Sequence, residues 1–116
     1  MTLSGGEIMK LMIAIVNNDD SDVVQEELIN NGFFVTKMAT SGGFLKKGNT
    51  TFMIGTNDDK VEQCLDVIKK NANKRIIKQP AVSPAEMTEI FTPILVDILV
   101  GGATVFILNV DRFEKI

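Results

Sequence analysis

Asn57-Asp58-Asp59-Lys60-Val61-Glu62-Gln63-Cys64-Leu65-Asp66-Val67-Ile68-Lys69-Lys70 is the stretch from which the fold is read. Val61, Cys64, Leu65 and Ile68 recur at i, i+3, i+4 and i+7, one apolar stripe on a helix. Asn57, Asp58 and Asp59 suit the start of that helix. There a side-chain oxygen can cap free N–H groups and carboxylates meet the positive end of the dipole. Lys69 and Lys70 suit the negative end. A helix with one apolar face needs a layer to pack on, and the flanking sequence supplies strands.

Upstream, Thr50 to Ile54 reads as a strand, preceded by the glycine-bearing loop Thr40-Ser41-Gly42-Gly43 and by a second strand over Phe33 to Met38. Val24 and Leu28 mark an earlier helix, capped within Asn17 to Ser21 and stopped at Gly32. Leu11-Met12-Ile13-Ala14-Ile15-Val16 is an unbroken apolar run, which reads as a strand buried on both faces. Downstream, Arg75 to Lys78 reads as a short strand. Gln79 to Pro93 holds all three prolines and reads mainly as a surface loop. Ile94 to Val100 and Ala103 to Val110 read as strands joined by Gly101-Gly102, a two-residue connection suited to a tight hairpin.

The order is β-α-β-β-α-β with an additional strand. This is an α+β chain of ferredoxin-like arrangement, with both helices on one face of a mainly antiparallel sheet. The other face must meet water or another subunit. Ile94 to Val100 and Val105 to Leu108 are too apolar for water, so the chain is expected to oligomerise. Residues 11–116 read as a single domain. Residues 1–10 read as an N-terminal extension or the start of the first strand, with Met9-Lys10 an alternative start.

The 116 residues carry 12 basic and 15 acidic side chains, a net charge of −3. An acidic chain without a basic stripe does not suit DNA or RNA, where phosphate neutralisation dominates affinity. Histidine is absent and Cys64 is the one cysteine. The usual general base, the commonest transition-metal ligand and any intrachain disulfide are thereby lost. Cys64 lies in the apolar stripe and reads as a small core residue. Asp19/Asp20 and Asp58/Asp59 read as helix-start carboxylates, with a metal or acid–base pair as the alternative. The expected class is a binding protein, not an enzyme. No apolar stretch approaches the ~20 residues that span a bilayer, and Met1 to Lys10 lacks the apolar run of a signal peptide. A cytoplasmic protein without a membrane partner is expected.

Thr36 to Phe52 is unusual. It holds Gly42, Gly43 and Gly48, several hydroxyls, and an exposed-looking Phe44-Leu45. Consecutive glycines let backbone N–H groups approach a phosphate without Cβ obstruction. Phe44 and Leu45 offer an apolar platform for a base, and the Asn49 amide presents the donor and acceptor that an adenine edge requires. The same residues also make an ordinary glycine-rich loop with a hydrophobic clasp. On the residues alone, both readings stand.

Thr40-Ser41-Gly42-Gly43-Phe44-Leu45, Gly48-Asn49-Thr50-Thr51-Phe52, Gly55-Thr56-Asn57-Asp58-Asp59 and Gly101-Gly102-Ala103-Thr104-Val105-Phe106 together resemble the PII-like cyclic di-AMP receptor family of Gram-positive bacteria. The resemblance runs from about Leu11 to Phe113. It implies a PII-like, ferredoxin-like homotrimer that needs no cofactor. The second messenger cyclic di-AMP would bind between neighbouring subunits, and a loop rearrangement would reach an unknown protein. Thr36, Gly43, Phe44, Leu45, Asn49 and Gly55 would line one side of the pocket, with Gly42 beside them. Phe106, from the neighbouring subunit or the pocket wall, would add apolar surface. The family pattern carries an arginine where this chain has Phe34, within an Asn-Phe-Arg stretch that here reads Gly32-Phe33-Phe34. Phe34 offers a ring for stacking but neither charge nor guanidinium donors. In the long loop, Pro84-Ala85-Glu86-Met87 and Phe91-Thr92-Pro93 stand where the family carries Met-Gly-Gly and a Tyr/Pro-rich stretch. The alternative is a PII-like interaction module that binds a different nucleotide, such as ATP or AMP, or only a protein.

Overall fold

From Met12 onward, every second residue of β1 (Met9–Asn17) is apolar and buried: Met12, Ala14 and Val16. Such alternation puts one strand face in a core. A computed structural model describes residues 9–38, 48–80 and 95–116. β1 is the second strand from one edge of a four-stranded antiparallel sheet ordered β2-β3-β1-β6, where β2 is Phe34–Met38, β3 is Asn49–Asn57 and β6 is Ala103–Asn109. The register sets Met12 against Ile54 and Ala14 against Phe52. These residues share a face with Val16 and meet the helices.

Helix α1 (Asn18–Asn30) starts where Asn17 Oδ1 accepts a hydrogen bond from the Asp19 N–H, and Gly32, at φ +85°, turns the chain after its end. Val24 and Leu28 are its core residues, as their spacing predicts. Helix α2 (Val61–Asn71) buries Val61, Cys64, Val67 and Ile68, with Leu65 half-buried at the margin. The expected cap at Asn57 differs from what forms. A 3₁₀ turn over Asp58–Lys60 intervenes, and Asn57 makes no capping hydrogen bond. Asp58 and Asp59 still sit in the first turn, where the dipole favours them.

The C-terminal third departs from the hairpin reading. β4 (Arg75–Pro80) and β5 (Leu95–Val100) pair with each other as a separate antiparallel ribbon. β6 leaves β5 and pairs with β1 at the edge of the main sheet, Ile13 opposite Phe106. Gly101-Gly102 is therefore a joint between two sheets. Both glycines hold positive φ, +81° and +86°, and the Gly102 N–H donates to the Ala72 carbonyl. A Cβ on Gly101 would lie 2.5 Å from the Asn73 carbonyl oxygen, so only glycine fits this joint. Gln79 and Pro80, read as loop, extend β4, while the rest of that loop lies outside the described residues.

Arg75 fastens the ribbon to the domain. Its Nη2 lies 2.8 Å from Asp20 Oδ1 and its Nη1 3.2 Å from Asp20 Oδ2, a two-pronged pair with a buried carboxylate. Asp20 holds the guanidinium still more firmly protonated, by hydrogen bond first and by charge second. That use also answers the acid–base reading of Asp19/Asp20: Asp20 is a structural anion. No described helix is long and apolar enough to cross a membrane.

Candidate functional site

Both helices cover one face of the sheet; among the described residues no helix covers the opposite, open face. Antiparallel register assigns that face residue by residue. It comprises Leu11, Ile13, Ile15 and Asn17 on β1, Asn49, Thr51, Met53 and Gly55 on β3, Phe34, Thr36 and Met38 on β2, and Thr104, Phe106 and Leu108 on β6. Five residues singled out from the sequence, Phe34, Thr36, Asn49, Gly55 and Phe106, thus stand on one surface. Gly42, Gly43, Phe44 and Leu45 lie outside the described residues.

These five do not form one cluster. Phe34 and Thr36 are on β2 at one edge, and Phe106 is on β6 at the other. Three strand spacings of about 4.8 Å put roughly 14 Å between the edges. A ligand touching both groups inside one subunit would have to span the sheet. Phe34 is 59% exposed and Phe106 47% exposed, so each ring is free to meet a ligand or a second chain. Gly55 lies opposite Phe34 in the ladder, and a Cβ there would sit 3.2 Å from the Met9 Cε.

Two concavities mark the open face. A groove of about 460 Å³ runs between Ile13, Ile15, Met38, Thr51, Phe106 and Leu108 and is almost wholly apolar. Among the described residues its one polar side chain is Thr51, whose buried hydroxyl has no hydrogen-bond partner there. A second pocket of about 250 Å³ is lined by Asn17, Asn49, Lys74, Gly101, Gly102 and Thr104. Ile15 borders both, so apolar groove and polar pocket adjoin. Such a surface suits a ligand with flat apolar rings and a polar or charged backbone.

Of the pocket's lining, the sequence offers Asn17 only as a helix cap, Thr104 only within a motif and Lys74 not at all, because the three come from separate chain segments. The available signal was the ladder. Once β1 and β3 are paired antiparallel, Asn17 falls opposite Asn49. Elsewhere, Cys64 is a core thiol whose burial pushes its pKa up to about 11, and it lies far from nucleophilic use at neutral pH. Among the described residues, no three metal-ligating side chains gather.

Comparison with known proteins adds a family and a structural relative. The family model described as cyclic-di-AMP receptor matches residues 9–116. Among solved structures, the chain is similar to the crystal structure of a functionally unknown protein from Pediococcus pentosaceus ATCC 25745. The two share 40% sequence identity at a TM-score of 0.73, over 96% of this chain and 100% of that one.

Proposed function

This chain belongs to the cyclic-di-AMP receptor family, and from that premise we propose that it is a non-enzymatic cytoplasmic receptor. In this reading it binds cyclic di-AMP at the subunit interfaces of a homotrimer. The observation that carries the reading is the junction at Ile15, where an apolar groove runs into a polar pocket on an uncovered sheet face. Adenine rings lie against apolar walls such as Phe106, and a base stacked on an aromatic ring gains about 1–3 kcal/mol. Asn49 meets the polar part of the ligand. The roughly 14 Å between Phe34 and Phe106 supports a site shared between subunits, with Phe106 of one and Phe34, Thr36 and Gly55 of the next on either side. Gly42, Gly43, Phe44 and Leu45 complete the first wall in this proposal. Ligand-dependent ordering of the loop bearing them, or of the 79–93 loop, would alter the surface shown to a protein partner.

One observation favours a second reading. The exposed Phe34 ring occupies the place where the family pattern carries arginine, so the adenine pocket lacks a cation there. A related receptor for ATP or AMP follows if stacking alone does not hold the dinucleotide. A thermal-shift panel of cyclic di-AMP, cyclic di-GMP, ATP and AMP separates the readings. Stabilisation by cyclic di-AMP well above the others supports the receptor, because only a ligand bound to the folded state raises the melting point. Stabilisation by ATP or AMP alone overturns the choice of ligand, and no shift with any nucleotide leaves a protein-only module.

A further inference from the structure

The polar pocket is built where three strand ends and the ribbon joint converge. Asn17 closes β1, Asn49 opens β3 directly opposite it, and Thr104 lies near the start of β6, opposite Ile15. Lys74 and the glycine pair Gly101-Gly102 form the remaining wall. We propose that Lys74, Asn17 and Thr104 bind a phosphate group in this pocket, with Lys74 as the charged contact. The proposal rests on the receptor reading above and extends its site to Asn17 and Lys74, outside the family motifs, and to Thr104, which lies within one of them.

The chemistry of the lining points to an anion. Asn17 Oδ1 is committed to the Asp19 N–H at 2.9 Å, which leaves the side-chain NH₂ as a donor. The Thr104 hydroxyl and the Lys74 ammonium form no hydrogen bond or ion pair among the described residues. Among the described residues no carboxylate lines the pocket, and Asp20 is held by both prongs of Arg75. Donors and one cation therefore face a concavity without a compensating anion.

The position of Lys74 is also prepared. Its stem lies along the Gly102 backbone: a Cβ on Gly102 would come within 3.0 Å of Lys74 Cγ and 3.3 Å of Cε. Glycine at this site leaves the lysine its path. At about 250 Å³ the pocket is smaller than the roughly 300–1,000 Å³ that encloses a drug-sized ligand, so it takes the phosphate and not the whole dinucleotide. The bases remain over the apolar groove that adjoins at Ile15.

Calorimetric titration with cyclic di-AMP, and separately with inorganic phosphate, tests this in the unaltered chain and three variants. Lys74→Met weakens cyclic di-AMP binding about tenfold or more and flattens its salt dependence, as loss of a charge-assisted contact requires. Asn17→Asp keeps the capping oxygen, so the melting point holds, yet it replaces a donor with an anion and weakens binding at least as much. Thr104→Val costs about threefold. Cyclic di-AMP binding by Lys74→Met and Asn17→Asp within twofold of the unaltered chain overturns the phosphate pocket and leaves the receptor reading standing. If the unaltered chain does not bind cyclic di-AMP, the receptor reading fails, and inorganic phosphate decides the pocket. A phosphate affinity lost in Lys74→Met keeps it, and its absence overturns it.

Discussion

The main sheet and the β4–β5 ribbon are built from similar apolar residues with opposite outcomes. In the sheet, Met12, Ala14, Phe52 and Ile54 lose all contact with water because α1 and α2 lie over them. In the ribbon, Ile76 stays 68% exposed and Leu99, its cross-strand partner, 64% exposed. Two strands alone have no second layer, and a bare hairpin is marginal in water. The ribbon instead depends on its attachment: the Arg75–Asp20 pair and the glycine joint at one end. Strand propensity makes an element, but only a covering layer makes a core. The open sheet face shares the ribbon's condition in part, and it is there that Phe34, Thr36, Asn49, Gly55 and Phe106 stand.

The contrast breaks most sharply at Phe52. Phe52→Ala empties the centre of the core and costs about 3–5 kcal/mol by urea unfolding. Leu99→Ala in the ribbon costs less than about 0.5 kcal/mol, as for a surface change. A comparable loss at both positions would mean that the ribbon is as well packed as the sheet. Next in size is Arg75→Ala. It leaves the Asp20 carboxylate buried without its partner, and lowers the melting point more than Leu99→Ala does but less than Phe52→Ala. Amide exchange in β4 and β5 should quicken in that variant while β1 and β3 keep their protection.

A smaller effect concerns pH. The Cys64 thiol is raised from 9.0 in the open chain to about 11 in the fold by burial. Between those values the unfolded chain has lost the proton while the folded chain keeps it, so stability is full below about pH 9 and declines as pH rises toward 11. Chemical unfolding at pH 8 and pH 10.5 should show this slope, and Cys64→Ala should flatten it. The smallest effect is expected at Thr56, fully buried with a hydroxyl that has no hydrogen-bond partner among the described residues. Thr56→Val should be neutral or stabilising by up to about 1 kcal/mol, since it removes an unsatisfied polar group at nearly constant shape.

Much of the sheet-and-helix half was legible in the sequence. Apolar spacing at Val24/Leu28 and Val61/Cys64/Ile68 reports a helix face directly, because the period follows from local geometry. Pairing is another matter. Ile94 to Val100 and Ala103 to Val110 look like two halves of a hairpin because neither spacing nor composition says which strand each will meet. Positive φ at Gly101-Gly102 serves a tight turn and an inter-sheet joint equally well. Asn57 looked like a cap, but the 3₁₀ turn moved the start of α2 three residues on. Of the residues proposed for the site, Asn49 and Phe106 were singled out within motifs and Thr36 through the family resemblance. Asn17 was found only for its local role, since its capping oxygen acts two residues away while its place opposite Asn49 depends on strands 32 positions apart.

The central claim is that cyclic di-AMP lies on the open sheet face. Calorimetric titration with cyclic di-AMP of the unaltered chain, of Phe106→Ala on that face, and of Val23→Ala on the exposed side of α1 tests it most directly. The account predicts about one ligand per subunit, a loss of about tenfold for Phe106→Ala through the missing stacking surface, and no change for Val23→Ala. Equal affinity for Phe106→Ala and the unaltered chain, or a loss confined to Val23→Ala, would contradict it.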